Sequence, residues 1–297
     1  RHGKKVATCD PRQETPASLA RMMVGSDVRE VKPAPAHALG PVRLAVTGLA
    51  TSPTDGESVA LREVRLAVRG GEVLGIAGVA GNGQEELFQA LAGLFPVDDG
   101  AIEIDGRHVG ETDINERRKL GAAFVPEQRM GEAAIGDFTL SENAFLSLHA
   151  SDGLSQNGML AHGKARRMAR EVMERFDVRA GSPDPLASTL SGGNLQKYVV
   201  GRELVRQPGV LVVNQPTWGV DASAAAMIRQ AIVDLAASGS GVIVISQDLD
   251  EIYEISDRIA AISHGRLSEA KPARDLPLET LGLMMAGAET GEAAHAA

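Results

Sequence analysis

Residues 78–87 read GVAGNGQEEL, and this stretch constrains the chain more than any other. Gly78, Gly81 and Gly83 have the spacing G-x-x-G-x-G. They stand between the apolar run EVLGIAG (72–78) and the amphipathic run QEELFQALAGL (84–94). A buried strand, a glycine turn and a helix in that order predict an α/β fold. The glycines, with Asn82 between them, let backbone N–H groups turn inward around phosphate oxygens, and the helix start adds partial positive charge. In loops that grip phosphates for chemistry, the next two residues are Lys, which reaches the β- and γ-phosphates, and Ser or Thr, which binds Mg²⁺. Here they are Gln84 and Glu85, followed by Glu86. Gln84 removes the positive charge, and Glu85 brings a carboxylate to the place of the metal-binding hydroxyl. A like charge ~4 Å away costs about 1 kcal/mol in water and about 4 kcal/mol at an effective dielectric of 20. Weak nucleotide affinity is therefore expected, with Glu85 competing with phosphate for the loop. The bland alternative is that Glu85 and Glu86 are acids favoured in a helix's first turn.

Around this loop the chain alternates strands and helices. RLAVTGLA (43–50) and VRLAVRGGEV (64–73) alternate apolar and polar residues, as half-buried strands do. AIEIDG (101–106) and AAFVPEQ (122–128) read as further strands, and 137–180 reads as mostly helical. A long helix is expected over 193–206 and buried strands at VLVVNQ (210–215) and GVIVIS (241–246). Helices at 224–237 and 248–255 and a strand at 257–263 complete the pattern. Strands alternating with helices in this second half predict a parallel sheet with crossover helices. At the other end, 14–25 (ETPASLARMMVG) reads as a short amphipathic helix and 31–41 as a Pro/Ala/Gly-rich linker; 289–297 is expected to be disordered.

Composition narrows the partners. A net charge of −9 without long basic runs argues against a nucleic-acid partner. No signal-peptide pattern is legible, and no apolar run approaches the roughly 20 residues of a membrane span. Cys9 is the only cysteine and the seven His show no ligand spacing, so no residue set reads as a metal site.

A second motif is LSGGNLQK, from Leu190, Ser191, Gly192, Gly193 and Asn194 through Gln196 to Lys197. Alone it could be a Ser N-cap with a tight turn, yet it also aims N–H groups and a helix dipole at an anion. It resembles the signature motif of ATP-binding-cassette (ABC) ATPases. The resemblance covers about 42–288 in the family's order: FVPEQR (124–129) is similar to the Q-loop segment, VLVVNQPTWGVD (210–221) to the Walker B strand and D-loop, and VIVISQDLDE (242–251) to the switch region. It implies a P-loop ATPase domain with a mixed-sheet core, an antiparallel β subdomain and a helical signature subdomain over about 127–190. Its cofactors would be ATP and Mg²⁺.

The departures form a pattern. Asn214 stands at the Walker B Asp, Gln215 at the Glu that activates water, Gln247 at the switch His and Glu127 at the Q-loop glutamine. No aromatic precedes Phe88 to stack on adenine, whereas the signature and Asp221 of the D-loop are kept. In the family, two domains pair head to tail and each signature completes the other's ATP site. The resemblance thus implies a domain with no intact catalytic residue of its own, which lends its signature to a partner. The stretch GKKVATCDPRQETPASLARMMVG resembles the chain's own closing GRLSEAKPARDLPLETLGLMMAG (265–287), and residue 1 is Arg. Residues 1–30 are accordingly expected to be the tail of a preceding ATPase domain in the same polypeptide. PTWGVD, SQDLDEI and MMAG are similar to bacterial uptake ATPases for simple sugars and nucleosides. That implies a permease, indirectly a solute-binding protein, and a peripheral position on the cytoplasmic face of the inner membrane. Glu127, Arg129 and Phe138–Leu146 are the permease-contact candidates, and Trp218 is either a packing residue at the domain–domain seam or an exposed contact. The alternatives are a non-catalytic interaction module and a soluble ABC ATPase without a permease.

Overall fold

The computed structural model describes residues 5–10, 12–15, 18, 22, 31–32, 38–52, 58–149, 151, 153–156 and 158–287. Most of the helix expected over 14–25, most of the tail expected over 1–30 and the segment 289–297 lie outside the described residues. So do residues 33–37 of the expected 31–41 linker. The linker's described residues are docked: the Lys32 N–H donates to Gln230 Oε1 at 2.7 Å, and Val31 packs on the core.

Two sheets form the body. One is antiparallel, in the order β2 (Val64–Arg69), β1 (Val42–Leu49), β4 (Ile102–Ile104), β5 (Arg107–His108). The other has a parallel centre: β11 (Arg258–Ser263), β3 (Glu72–Ala77), β10 (Gly241–Ser246), β9 (Val210–Asn214) and β6 (Ala122–Val125). β12 (Arg266–Leu267) and β13 (Lys271–Pro272) add antiparallel to β11. A separate hairpin joins β7 (Ser155–Gln156) to β8 (Met159–Leu160).

The parallel strands are apolar throughout because both their faces are covered. The strand period of two divides them between two cores. Val73, Leu211, Val213, Val242 and Val244 face one core, whose helices are α5 (Gly192–Leu204), α6 (Ala222–Ala237), α7 (Leu249–Ile255) and α8 (Leu278–Met285). Leu74, Ile76, Val210, Val212, Ile243 and Ile245 face the other, against α1 (Gln84–Ala92) and the antiparallel sheet. α2 (Ile114–Lys119) leads into β6. α3 (Leu140–Leu148) and α4 (His162–Arg175) close a small core of Ala144, Leu148, Leu154 and Ala165, while Leu140 of α3 and Ala169 and Val172 of α4 join the first core beside α5. Mixed sheet, antiparallel subdomain and helical subdomain are all as expected.

Two expectations need refinement. Residues 137–180 are helical over just over half their length, in α3 and α4, but the β7–β8 hairpin separates the two helices and non-helical chain follows. VRLAVRGGEV is two strands turning at Gly70–Gly71, so β2 belongs to one sheet and β3 to the other.

Candidate functional site

The glycine loop leaves the carboxyl end of β3 and enters α1 at Gly83, whose φ of 109° supplies the left-handed backbone that an N-cap with a side chain would resist. Asn82 pins the loop to the β11–β12 turn, accepting from the N–H groups of His264 and Gly265, both at 2.9 Å. The loop is filled from within. Gln84 Oε1 accepts the Asn82 N–H at 3.0 Å, and Gln84 Nε2 donates to Val79 O at 2.8 Å. The amide is almost wholly buried and lies against Gly78. Gln84 thus satisfies one inward N–H of the cradle and blocks approach to it.

Glu85 does not enter the loop, which corrects the expectation that its carboxylate competes there. Its Oε1 accepts from Gln89 Nε2 at 2.9 Å and its Oε2 from Asn214 Nδ2 at 3.1 Å. Burial pushes its pKa above the ordinary 4.5, and the charges of Glu132 and Glu127 push the same way; the Gln89 and Asn214 donors oppose them. Glu86 ties α1 to the segment after β1, accepting the Val59 N–H at 2.7 Å. Asn214, at the carboxyl end of β9, is fully buried, and its Oδ1 has no hydrogen-bond partner among the described residues. Gln215 follows, buried, with φ of 52° and its N–H on Ile245 O. Gln247 and Glu127 are exposed beyond β10 and β6.

This set does not fit a magnesium nucleotide. Among the described residues no cationic side chain enters the loop, its Asn82 N–H is taken, and the Glu85 carboxylate is held by an asparagine amide. Gln215 and Gln247 cannot accept a proton near neutral pH. Among the described residues no group of His, Cys, Asp or Glu could hold a metal ion.

The signature turn is arranged differently. Ser191 caps the 13-residue α5, its Oγ accepting from Asn194 N at 3.4 Å and Asn194 Nδ2 at 3.1 Å, which leaves its O–H to be donated outward. Ser191 and Gly192 are exposed, Gly193 is half-buried, and Leu190 packs against the core below. Asn194 also accepts the Arg179 N–H. The buried Gln196 donates to Pro216 O at 2.7 Å. Asp221 caps α6 by accepting from Ser223 N and Ala224 N, and a Cβ on Gly193 would lie 3.9 Å from its carboxylate. The exposed N–H groups and aligned dipole of α5 make an anion-receiving end.

Trp218 is exposed on this chain, and the Arg129 guanidinium donates to its carbonyl. Of the permease-contact candidates on α3, Leu140, Asn143 and Ala144 are core residues, whereas Phe138, just before it, is 39% exposed. The sequence reading missed Glu251, buried behind the switch segment, whose Oε1 accepts from Thr217 Oγ1 at 2.7 Å. Burial raises its pKa, countered by the Thr217 and Ser246 hydroxyls.

A family model described as ABC transporter matches residues 61–218. The glucose import ATP-binding protein TsgD13 of Haloferax volcanii is 39% identical over 290 residues, covering 97% of this chain and 52% of that protein. The guanosine import ATP-binding protein NupO of Bacillus subtilis is 34% identical over 296 residues, 100% of this chain and 58% of that one. The chain spans about half the length of the curated relatives it matches. The post-hydrolysis dimeric structure of the ATP-binding cassette MJ0796, bound to ADP and Pi, superposes with a TM-score of 0.66. It is 23% identical and the match covers 78% of this chain and 99% of that one, a likeness of fold.

Proposed function

The chain belongs to the ABC transporter family, and from that premise we propose that it is the second, degenerate ATPase half of a nucleotide-binding subunit for simple-sugar or nucleoside uptake. In this reading an upstream ATPase domain of the same polypeptide holds the working site. This half completes that site with Ser191, Gly192 and Gly193 and takes little or no MgATP itself. Import, the permease partner and the peripheral position on the inner membrane face rest on the glucose and guanosine import names of the relatives. The half-length match and the likeness between the first residues and 265–287 support the tandem. No helix among the described residues is long and apolar enough to cross a membrane.

The contrast between the two glycine turns carries the proposal. The loop at 78–83 is filled by Gln84, whereas the turn at 191–193, with Ser191 and Gly192 exposed and Gly193 half-buried, stands open at the start of a long helix. The chain's part in the reaction is therefore to present N–H groups and a hydroxyl to a terminal phosphate held elsewhere, stabilising charge as it develops. ATP turnover by the two-domain protein, with and without Gly193→Asp, tests this. A carboxylate in the anion-receiving turn is expected to lower turnover at least ~100-fold, the scale of losing an oxyanion donor. Brisk hydrolysis by the 297-residue chain alone, or an active Gly193→Asp protein, would refute the proposal. The filled loop also keeps alive the reading of a non-catalytic interaction module, for which the isolated chain binds no labelled ATP at all.

A further inference from the structure

Arg129 is placed to do something no motif assigns to it. It leaves β6 in a tight loop: Ala134 N–H donates to Arg129 O at 2.8 Å, Ala133 N–H to Gln128 O at 3.1 Å, and Gly131 N–H to Ala134 O at 2.8 Å. α5 grips the same loop, since Arg202 Nη1 donates to Ala133 O at 3.0 Å. The base of the Arg129 side chain is therefore fixed relative to the helix that carries the signature.

From that base the guanidinium runs between two glycines. A Cβ on Gly192 would lie 2.9 Å from Arg129 Nη1, and one on Gly219 2.7 Å from Nη2. Gly219 also has φ of +62°, so backbone and space both favour glycine there. At the far end Nη2 donates to Trp218 O. Two further bonds hold the same turn, Gln196 Nε2 to Pro216 O and Thr217 Oγ1 to Glu251 Oε1. The 216–219 turn is thereby tied to the signature helix, the switch helix and the loop after β6, and Arg129 also packs against Gly192 of the signature turn itself.

We infer that Arg129 is a positioning residue: it sets the spacing between Ser191–Gly192 and the 216–219 turn. The inference rests on the proposed lending of the signature to a partner site. A flat guanidinium suits the task, because it packs between the two glycine backbones while its edge donates to a carbonyl. A misplacement of ~1 Å at a phosphate-gripping turn costs catalysis heavily without changing how tightly a substrate is held elsewhere.

The test uses the two-domain protein with Arg129→Met, which keeps the length, Arg129→Lys, which keeps the charge, and Gly193→Asp as the probe of the underlying reading. Arg129→Met is expected to lower kcat about tenfold, with KM for ATP unchanged within about twofold and the melting temperature unchanged within about 2 °C. Arg129→Lys is expected to recover part of the loss. Trp218, the only tryptophan of this chain, supplies a second readout: in the 297-residue chain, Arg129→Met is expected to lower its fluorescence anisotropy as the turn gains freedom. A wild-type kcat in Arg129→Met alongside an inactive Gly193→Asp protein would overturn the inference and leave the proposed function standing. A Gly193→Asp protein that turns over normally would remove both. Parallel loss of kcat and melting temperature in Arg129→Met and Arg129→Lys, with unchanged anisotropy, would reduce Arg129 to a structural residue.

Discussion

Glu85 and Asn214 lie 129 positions apart, yet each departure makes sense only with the other. The Asn214 amide donates to the Glu85 carboxylate; an aspartate at 214 would set two carboxylates about 3 Å apart in a half-buried site. The sequence reading reached both residues one at a time, as losses of function. Their compensation was not legible, because nothing local encodes which residue of β9 faces the first turn of α1. Asn214→Asp is expected to cost about 1 to 4 kcal/mol at pH 7, toward the lower end because water screens part of Glu85. The sign with pH follows. Glu85 already has a folded-state pKa above 4.5, so the folded chain holds this proton more tightly than the unfolded chain, and the favourable contribution fades as pH rises above 4.5. A second carboxylate raises that affinity further. The deficit of Asn214→Asp against wild type is therefore expected to widen from pH 5 to pH 8 in denaturant titrations, and Glu85→Gln to flatten the profile. A pH-independent deficit would break the pairing argument.

At the level of elements, the long apolar runs were legible. β3, β9, β10 and α1 lie within a residue or two of their expected spans, since burial on both faces, or an apolar stripe, leaves a strong period. The failures were short pieces. The β7 and β8 strands have two residues each, too few for any period. α2 has six residues, INERRK, and is set by its cap: Asp113 accepts from Asn115 N and Glu116 N. That helix has a use that composition hides. Arg117 is fully buried, and its guanidinium donates to the carbonyls of Ala90, Leu91, Val109 and Gly110 and to Thr112 Oγ1. Two of those carbonyls belong to the last turn of α1, where a cation is favoured by the dipole. Burial lowers the pKa of Arg117 to about 10, which still leaves it charged at neutral pH. Arg117→Met keeps the volume but strands several buried carbonyls, each expensive without a partner. A loss of about 2–4 kcal/mol is expected, read as a fall of roughly 5–10 °C in melting temperature. An unchanged melting temperature would mean that water replaces the guanidinium.

For the whole molecule, the two glycine turns pose one question: whether the filled loop is a repairable ATP site or a structural joint. The geometry says which repairs belong together. Gln84→Lys restores a cation to the loop and removes the amide that occupies the Asn82 N–H. Glu85→Ser alone restores the hydroxyl but strands the Asn214 amide in a buried position, whose Oδ1 already has no hydrogen-bond partner among the described residues. Asn214→Asp alone adds repulsion. The triple variant Gln84→Lys, Glu85→Ser, Asn214→Asp removes these conflicts together, because the new aspartate meets a hydroxyl and a cation instead of a glutamate. Titration calorimetry on the 297-residue chain is therefore expected to give an order: the single variants near wild type, Gln84→Lys with Glu85→Ser about tenfold tighter for MgATP, and the triple variant tighter by about another tenfold, each tenfold step being about 1.4 kcal/mol. Gln215 and Gln247 remain as they are, so binding is expected to return without hydrolysis. Equal affinities across the series would mean that β11, through the Asn82 bonds to His264 and Gly265, holds the loop in a shape no phosphate can enter, and that the domain serves as a brace for its signature turn.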